Sequence, residues 1–129
     1  MLMSKFAILC AIIDEVDMSA DFVHLHTHSH YSFLDGAVTI DQYIEKAQEF
    51  NMPALAITDH GNICGAIEFY SKAKGKIKPI LGFEAYVVDD HRKKEDQRRY
   101  HLVLLAMNYA GYKNIIKLTS AGYLSLIHI

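Results

Sequence analysis

The sequence predicts an α/β fold, and three observations carry that expectation. From residue 21 onward, short β-rich runs alternate with stretches of helical periodicity, the order of a βαβα chain. The run ALAIT at 54–58 is apolar throughout, as strands covered on both faces of a parallel sheet tend to be. Polar clusters follow the predicted strands, where parallel α/β folds collect their ligands. With 129 residues, 51% hydrophobic and 22% charged, the chain fits one domain and is long enough to bury one core.

DFVHLH at 21–26 reads as a first strand. Thr39 opens TIDQ, a capping-box pattern with Gln42 three residues on, and Ile40, Tyr43, Ile44, Ala47 and Phe50 line one apolar face of the helix that follows. Pro53 closes the connection, and ALAIT is the second strand. GAIEFYSKAK at 65–74 reads as a helix, with Lys72 and Lys74 in its last turn and Gly75 where a left-handed cap is expected. PILGFEAYVV at 79–88 is a third strand, YHLVLLAM at 100–107 a fourth, and YKNIIKL starts a last helix. Between those strands DDHRKKEDQRR, 89–99, is a dense charge run and reads as a solvated loop or hairpin tip. Its Arg92, Lys93, Lys94, Arg98 and Arg99 offer contacts to a phosphate backbone, but Asp89, Asp90, Glu95 and Asp96 offset them.

A net charge of −2 provides no global basic field for nucleic acid, so any contact with DNA has to come from a local patch or from metal ions. Cys10 and Cys64 form no CxxC pair, which argues against a disulfide scaffold and a cysteine zinc site and suits a reducing cytosol; both read as small buried hydrophobes. FAILCAII at 6–13 is too short to span a bilayer, and acidic DEVD follows it rather than a small-residue cleavage site. Neither a membrane anchor nor a signal peptide is expected, and the localisation is expected to be cytoplasmic.

The chemistry concentrates in HLHTHSHYS at 24–32, where His24, His26, His28 and His30 occupy alternate positions. Three polar clusters follow successive strands or lie in them: HTHSHYSFLDG, TDHGN, and Glu84 within GFEAYV. Each is weak alone, since a short HxH is common and TDH after a strand also suits a helix cap. Together they form a mixed His/Asp/Glu set. Neutral imidazole suits Zn, Mn or Fe and a carboxylate bridges two ions, so the set points to a multinuclear hydrolytic centre.

Over about residues 18–124 the segments FVHLHTHSHYSFLDGA, MPALAITDHGNICGAIEFY, KPILGFEAYV and HLVLLAMNYAGYKNIIKL resemble the polymerase-and-histidinol-phosphatase (PHP) domain at the N-terminus of bacterial DNA polymerase III alpha subunits. The resemblance implies a distorted, TIM-like βα barrel with up to three metals at one end. It implies His26, His28, Asp35, His60 and His101 as ligands, Glu84 as the bridging carboxylate, and Asp59 as a residue that orients its neighbours from behind them. His26, His60 and, indirectly, Asp59 would serve catalysis with two or three divalent ions, Zn, Mn or Fe. The implied activity of the parent is DNA-directed DNA polymerisation with a PHP-type 3′–5′ exonuclease. The implied partners are a DNA primer-template, the rest of the alpha chain and replisome subunits. Two other readings stay open: a stand-alone phosphoesterase of histidinol-phosphatase type, and a non-catalytic domain stabilised by metal.

His101 opens its strand, whereas barrel sites use strand ends. An antiparallel hairpin with its tip near residues 92 and 93 resolves this by making Glu84 and His101 cross-strand neighbours. A continued strand places His24 on the face of His26, where it reads as a packing or supporting residue, and His30 reads as a solvent-facing rim residue. His91 and His128 receive no role. For Tyr31 and Tyr86 core packing is preferred over lining a nucleotide pocket.

A full βα barrel takes about 250 residues, so the chain is expected to supply only its first four strands or so, residues 18–124, and to be inactive alone. The family's later ligands and the polymerase aspartates would lie beyond residue 129. MSADFVHLH resembles a natural start at Met18, which would make residues 1–17 a non-native or upstream extension. LSLIHI matches one reading frame of a widely used transposon-derived sequencing adapter, and residues 125–129 are expected to be an artefactual tail.

Overall fold

A computed structural model of the chain describes residues 22–90 and 98–126. The elements follow in the order α1 (Ile40–Glu49), β1 (Ala54–Ile57), α2 (Ala66–Ala73), β2 (Lys78–Val87), β3 (Tyr100–Leu105) and α3 (Tyr109–Leu126), a mixed α/β fold.

The capping box starts α1. Thr39 is extended, its hydroxyl accepts from the Gln42 N–H, and the Gln42 side chain accepts from the Thr39 N–H at 2.9 Å. Two otherwise orphaned helix donors are thereby satisfied. Ile40, Ile44 and Ala47 are buried, and Tyr43 packs against them as the periodicity predicts. Asn51, at φ 51°, turns the chain after the helix in a left-handed conformation that Asn tolerates. All four residues of β1 are buried. β1 pairs in parallel with β2, Ala54 opposite Lys78 and Ile57 opposite Leu81, and α2 makes the crossover. Gly75 has φ 79° just beyond α2, as its position predicts.

One cluster joins these elements: Ile40, Ile44 and Ala47 of α1, Leu55 and Ile57 of β1, Phe69 and Ala73 of α2, and Ile77. Each large side chain here contributes roughly 1.5–3 kcal/mol by leaving water. The cluster sits under the sheet, which leaves the ends of the strands free for polar chemistry.

Four expectations need correction. The sheet has three strands, not four, because residues 22–29 run extended beside β1 without forming a strand. Ala56 N–H donates to His24 O and Thr58 N–H to Thr27 O, so this segment advances three residues while β1 advances two. The extra residue breaks the ladder as a bulge does, and the Thr27 N–H turns to Thr58 Oγ1 at 2.9 Å instead of to backbone. Second, the β2–β3 hairpin is antiparallel as expected, but Glu84 faces Val103 and Tyr86 faces His101. The pairing is thus offset by two residues from the expected one, and the expected tip at 92 and 93 lies outside the described residues. A register change of two keeps every side chain on its face, so Glu84 and His101 remain on the same side. Third, Cys64 is exposed rather than buried. Fourth, the last helix begins at Tyr109, three residues before YKNIIKL, and runs to Leu126. Cys10, His91, His128 and residues 1–17 lie outside the described residues. Among those described, no helix is long and apolar enough to cross a membrane.

Candidate metal centre

The loop after the first extended segment is wrapped around a buried carboxylate. Asp59, 1% exposed, accepts hydrogen bonds from Ser29 N–H at 2.7 Å, Ser29 Oγ at 2.9 Å and Ser32 Oγ at 3.1 Å. Ser32 Oγ in turn accepts the His60 N–H at 2.8 Å. A buried carboxylate is tolerated when several donors satisfy it, and here the donors lie on the loop between His28 and Asp35 while Asp59 itself precedes His60. The loop closes further through Asp35 N–H and Gly36 N–H, both donating to Ser32 O, and through Tyr43 Oη donating to His28 O at 2.9 Å. Gly36 has to be glycine, since a Cβ there would stand 2.1 Å from Ser29 O. Leu34 reaches φ 65° at the loop tip and leads directly into Asp35.

The second arm continues the parallel pairing past the ends of the strands. Glu84 N–H donates to Asp59 O at 3.1 Å and Gly61 N–H to Glu84 O at 2.8 Å, which sets His60 beside Glu84. Together with the hairpin, this brings all six expected ligands into one cluster. Glu84 Oε2 lies 3.2 Å from His26 Nε2, 2.7 Å from His28 Nε2 and 3.8 Å from His60 Nδ1. Its other oxygen lies 3.1 Å from His101 Nδ1. Asp35 Oδ2 is 2.5 Å from His28 Nδ1 and 3.1 Å from His60 Nδ1.

The Glu84 carboxyl is subject to opposed influences. Burial raises its pKa, but the hydrogen bond from His26 and the charges of His26, His60 and His28 outweigh it and leave the group below its ordinary value. Asp35 is also held low, first by its hydrogen bond with His60. Both are therefore carboxylates near neutral pH. Ligand atoms of His28, Asp35, His60 and Glu84 lie within 4.8 Å of one another, close enough to share an ion. Two observations fit a cation. His26 Nε2 and His28 Nε2 point at each other across 3.1 Å. His60 Nε2 is buried with no hydrogen-bond partner among the described residues, which ordinarily costs about 1–3 kcal/mol.

The remaining sequence candidates separate. His24 turns away from the cluster to a pocket lined by Tyr43, Lys46, Ala47, Phe50, Met52 and Leu55, where burial lowers its pKa. The extra residue between His24 and Thr27 explains why it does not share the site with His26. His30 is exposed in the turn, its ring 4.3 Å from that of Tyr31. Tyr31 packs against the core and donates to Glu68 at 2.6 Å. Tyr86 does not enter the core: it is 54% exposed, with its ring centroid 4.5 Å from His60 and 5.2 Å from His101. Ser29 and Ser32 went unnoticed in the sequence. Their only signal there is the placing of small hydroxyls between the histidines of HTHSHYS.

An α/β frame that gathers histidines and carboxylates from successive strand ends defines a class, and residues 24–127 match it: the chain belongs to the PHP domain family. The relatives narrow this further. The chain is 54% identical over 109 residues to the DNA polymerase III subunit alpha of Borreliella burgdorferi, a match spanning 80% of this chain and 10% of that protein. It is 46% identical over 106 residues to the same subunit of Helicobacter pylori, with 80% and 9% covered. The chain thus spans about a tenth of the length of these relatives. A solved amidohydrolase from Chromobacterium violaceum, with bound sulfate and no metal, shares the architecture with a TM-score of 0.54 and 28% identity, over 76% of this chain and 33% of that one.

Proposed function

We propose that the chain is the N-terminal PHP part of a DNA polymerase III alpha subunit, a DNA-directed DNA polymerase. In the complete protein its metal cluster supports 3′–5′ hydrolysis of the phosphodiester bond at a primer end. The observation that carries this reading is the Glu84 carboxylate, buried and faced by ring nitrogens of His26, His28, His60 and His101. In this reading the fold is the opening part of a TIM-like βα barrel.

His26, His28, Asp35, His60, Glu84 and His101 would hold two or three divalent ions, with Zn, Mn or Fe best suited to the mixed imidazole and carboxylate donors. Such ions, when bound, increase the acidity of water and offset phosphate charge. Glu84 supplies the central negative charge around which the imidazoles are oriented. Asp59 fixes the spacing of the His28 and His60 segments through Ser29 and Ser32. The half-exposed side chains of His26, Asp35 and His101 form the open side, through which a phosphodiester enters. The partners in this reading are a DNA primer-template, the remainder of the alpha chain and replisome subunits, in the cytoplasm. The 129-residue chain alone is inactive in both polymerisation and exonucleolysis.

The test is alanine at His26 and at His60 in the full-length protein, with polymerisation as the control for folding. Loss of bound metal and of primer-end hydrolysis is expected. Unchanged metal content and exonuclease rate would reject the catalytic reading, and hydrolysis of a phosphomonoester but not of a primer would assign the site to a phosphatase instead.

A further inference from the structure

We propose that Tyr86 is a substrate-contacting residue, which holds the sugar or base of a nucleotide whose phosphate lies on the metal cluster. The inference rests on the proposed function and adds to it the recognition of the nucleoside. Tyr86 follows Glu84 by two residues on β2 and therefore shares its face, and it stands directly opposite His101 in the hairpin register. Its ring is tilted 33° to His60 at 4.5 Å and lies edge-on to His101 at 5.2 Å. Gly61, at φ 68°, passes beneath it, so that a Cβ there would be 3.4 Å from Tyr86 Cε2.

These contacts fix the ring on one side only. The residue is 54% exposed. A large aromatic ring packed against two candidate ligands, with about half of its surface exposed beside them, presents a stacking face. Aromatic rings bind nucleobases in this way without regard to sequence, which suits an activity that must accept any terminal nucleotide. The Tyr86 phenol offers a hydrogen-bond donor for a phosphate or sugar oxygen.

The test compares thymidine 5′-monophosphate with inorganic phosphate, titrated calorimetrically into the zinc-loaded full-length protein and its Y86A and Y86F variants. Y86A is expected to weaken the nucleotide by about tenfold while phosphate binding stays within about twofold, and Y86F is expected to retain most of the nucleotide affinity. Equal weakening of both ligands would show that Tyr86 only supports the histidines and would overturn the proposal. So would a wild-type protein that binds the nucleotide no more tightly than phosphate. Primer hydrolysis, measured in parallel, separates the two claims: selective nucleotide binding without hydrolysis would reject the exonuclease and leave Tyr86 as assigned.

Discussion

Glu84 and His101 meet across the β2–β3 hairpin although they are not register partners: Glu84 lies opposite Val103, yet its Oε1 is 3.1 Å from His101 Nδ1. The diagonal contact is possible because residues two apart share a face and their long side chains span the gap. It lets one buried carboxylate collect a histidine from an antiparallel hairpin as well as those from the parallel part of the fold.

This arrangement predicts the effect of Glu84→Gln. The amide keeps the shape and one acceptor but removes the charge that the imidazoles surround. Metal affinity should fall by about 100-fold or more, at the upper end of what changes around a metal site produce, while the fold remains. Metal content after equilibrium dialysis and far-UV circular dichroism check both parts. Undiminished metal content would remove Glu84 from the ligand set.

Asp59 should act at a distance from any ion. Asp59→Ala orphans the buried Ser29 N–H and two hydroxyls, and should cost roughly 3 kcal/mol, since each unsatisfied buried group costs about 1–3 kcal/mol. Metal affinity should drop by about 10- to 100-fold as the His28 and His60 segments lose their common anchor. Asp59→Asn retains an oxygen acceptor and should have a smaller effect. Urea denaturation and metal titration on the two variants rank them, and wild-type metal affinity in Asp59→Ala would contradict the anchoring role.

The parts legible in the sequence were those where one local pattern has one physical solution. Thr39 with Gln42 marks a helix start, and ALAIT marks a strand covered on both faces. The even spacing of side chains in strands kept Glu84 and His101 together despite the wrong register. The register itself was not legible, because the charge run at 89–99 between the two strands carries no apolar alternation to set it. DFVHLH has the alternation of a strand, but just beyond it the Thr27 N–H bonds to Thr58 Oγ1 instead of to backbone, a competition that the pattern at 21–26 does not reveal. Ser29 and Ser32 were hidden for a similar reason: a small hydroxyl reveals its partner only when Asp59 arrives from another element.

Leu34 offers a test of strain beside the site. It has φ 65° and is fully exposed, so the backbone bears the cost of a left-handed β-carbon with no packing gained in return. That cost is about 1–2 kcal/mol. Leu34→Asn, which tolerates the conformation as Asn51 does, should stabilise the chain by about 0.5–1 kcal/mol without changing metal affinity. Chemical denaturation of the variant checks this, and destabilisation would mean that the Leu34 side chain is held by something other than its own backbone.

Acid sensitivity away from the cluster should trace to Glu68, which ties the loop to both helices. Lys72 donates to Glu68 Oε1 at 2.8 Å and to Asp41 at 2.6 Å, while Tyr31 donates to Glu68 Oε2 at 2.6 Å. The hydrogen bond from Lys72, then that from Tyr31, outweighs burial and holds the Glu68 carboxyl below its ordinary 4.5. A group depressed on folding binds fewer protons in the native state, so its stabilisation is complete above the unfolded value and fades as pH falls through the folded one. Asp35 and Glu84 are depressed as well, and acid unfolding of the chain therefore mixes all three. Comparison with Glu68→Gln isolates the one group. The stability difference between wild type and variant should be constant from pH 7 to about 5 and shrink below about 4.5. Added salt should reduce the plateau, because the pairs are partly exposed and screened. A difference that stayed constant down to pH 3 would show that the Glu68 carboxylate charge contributes nothing to the junction of Tyr31 with α1 and α2.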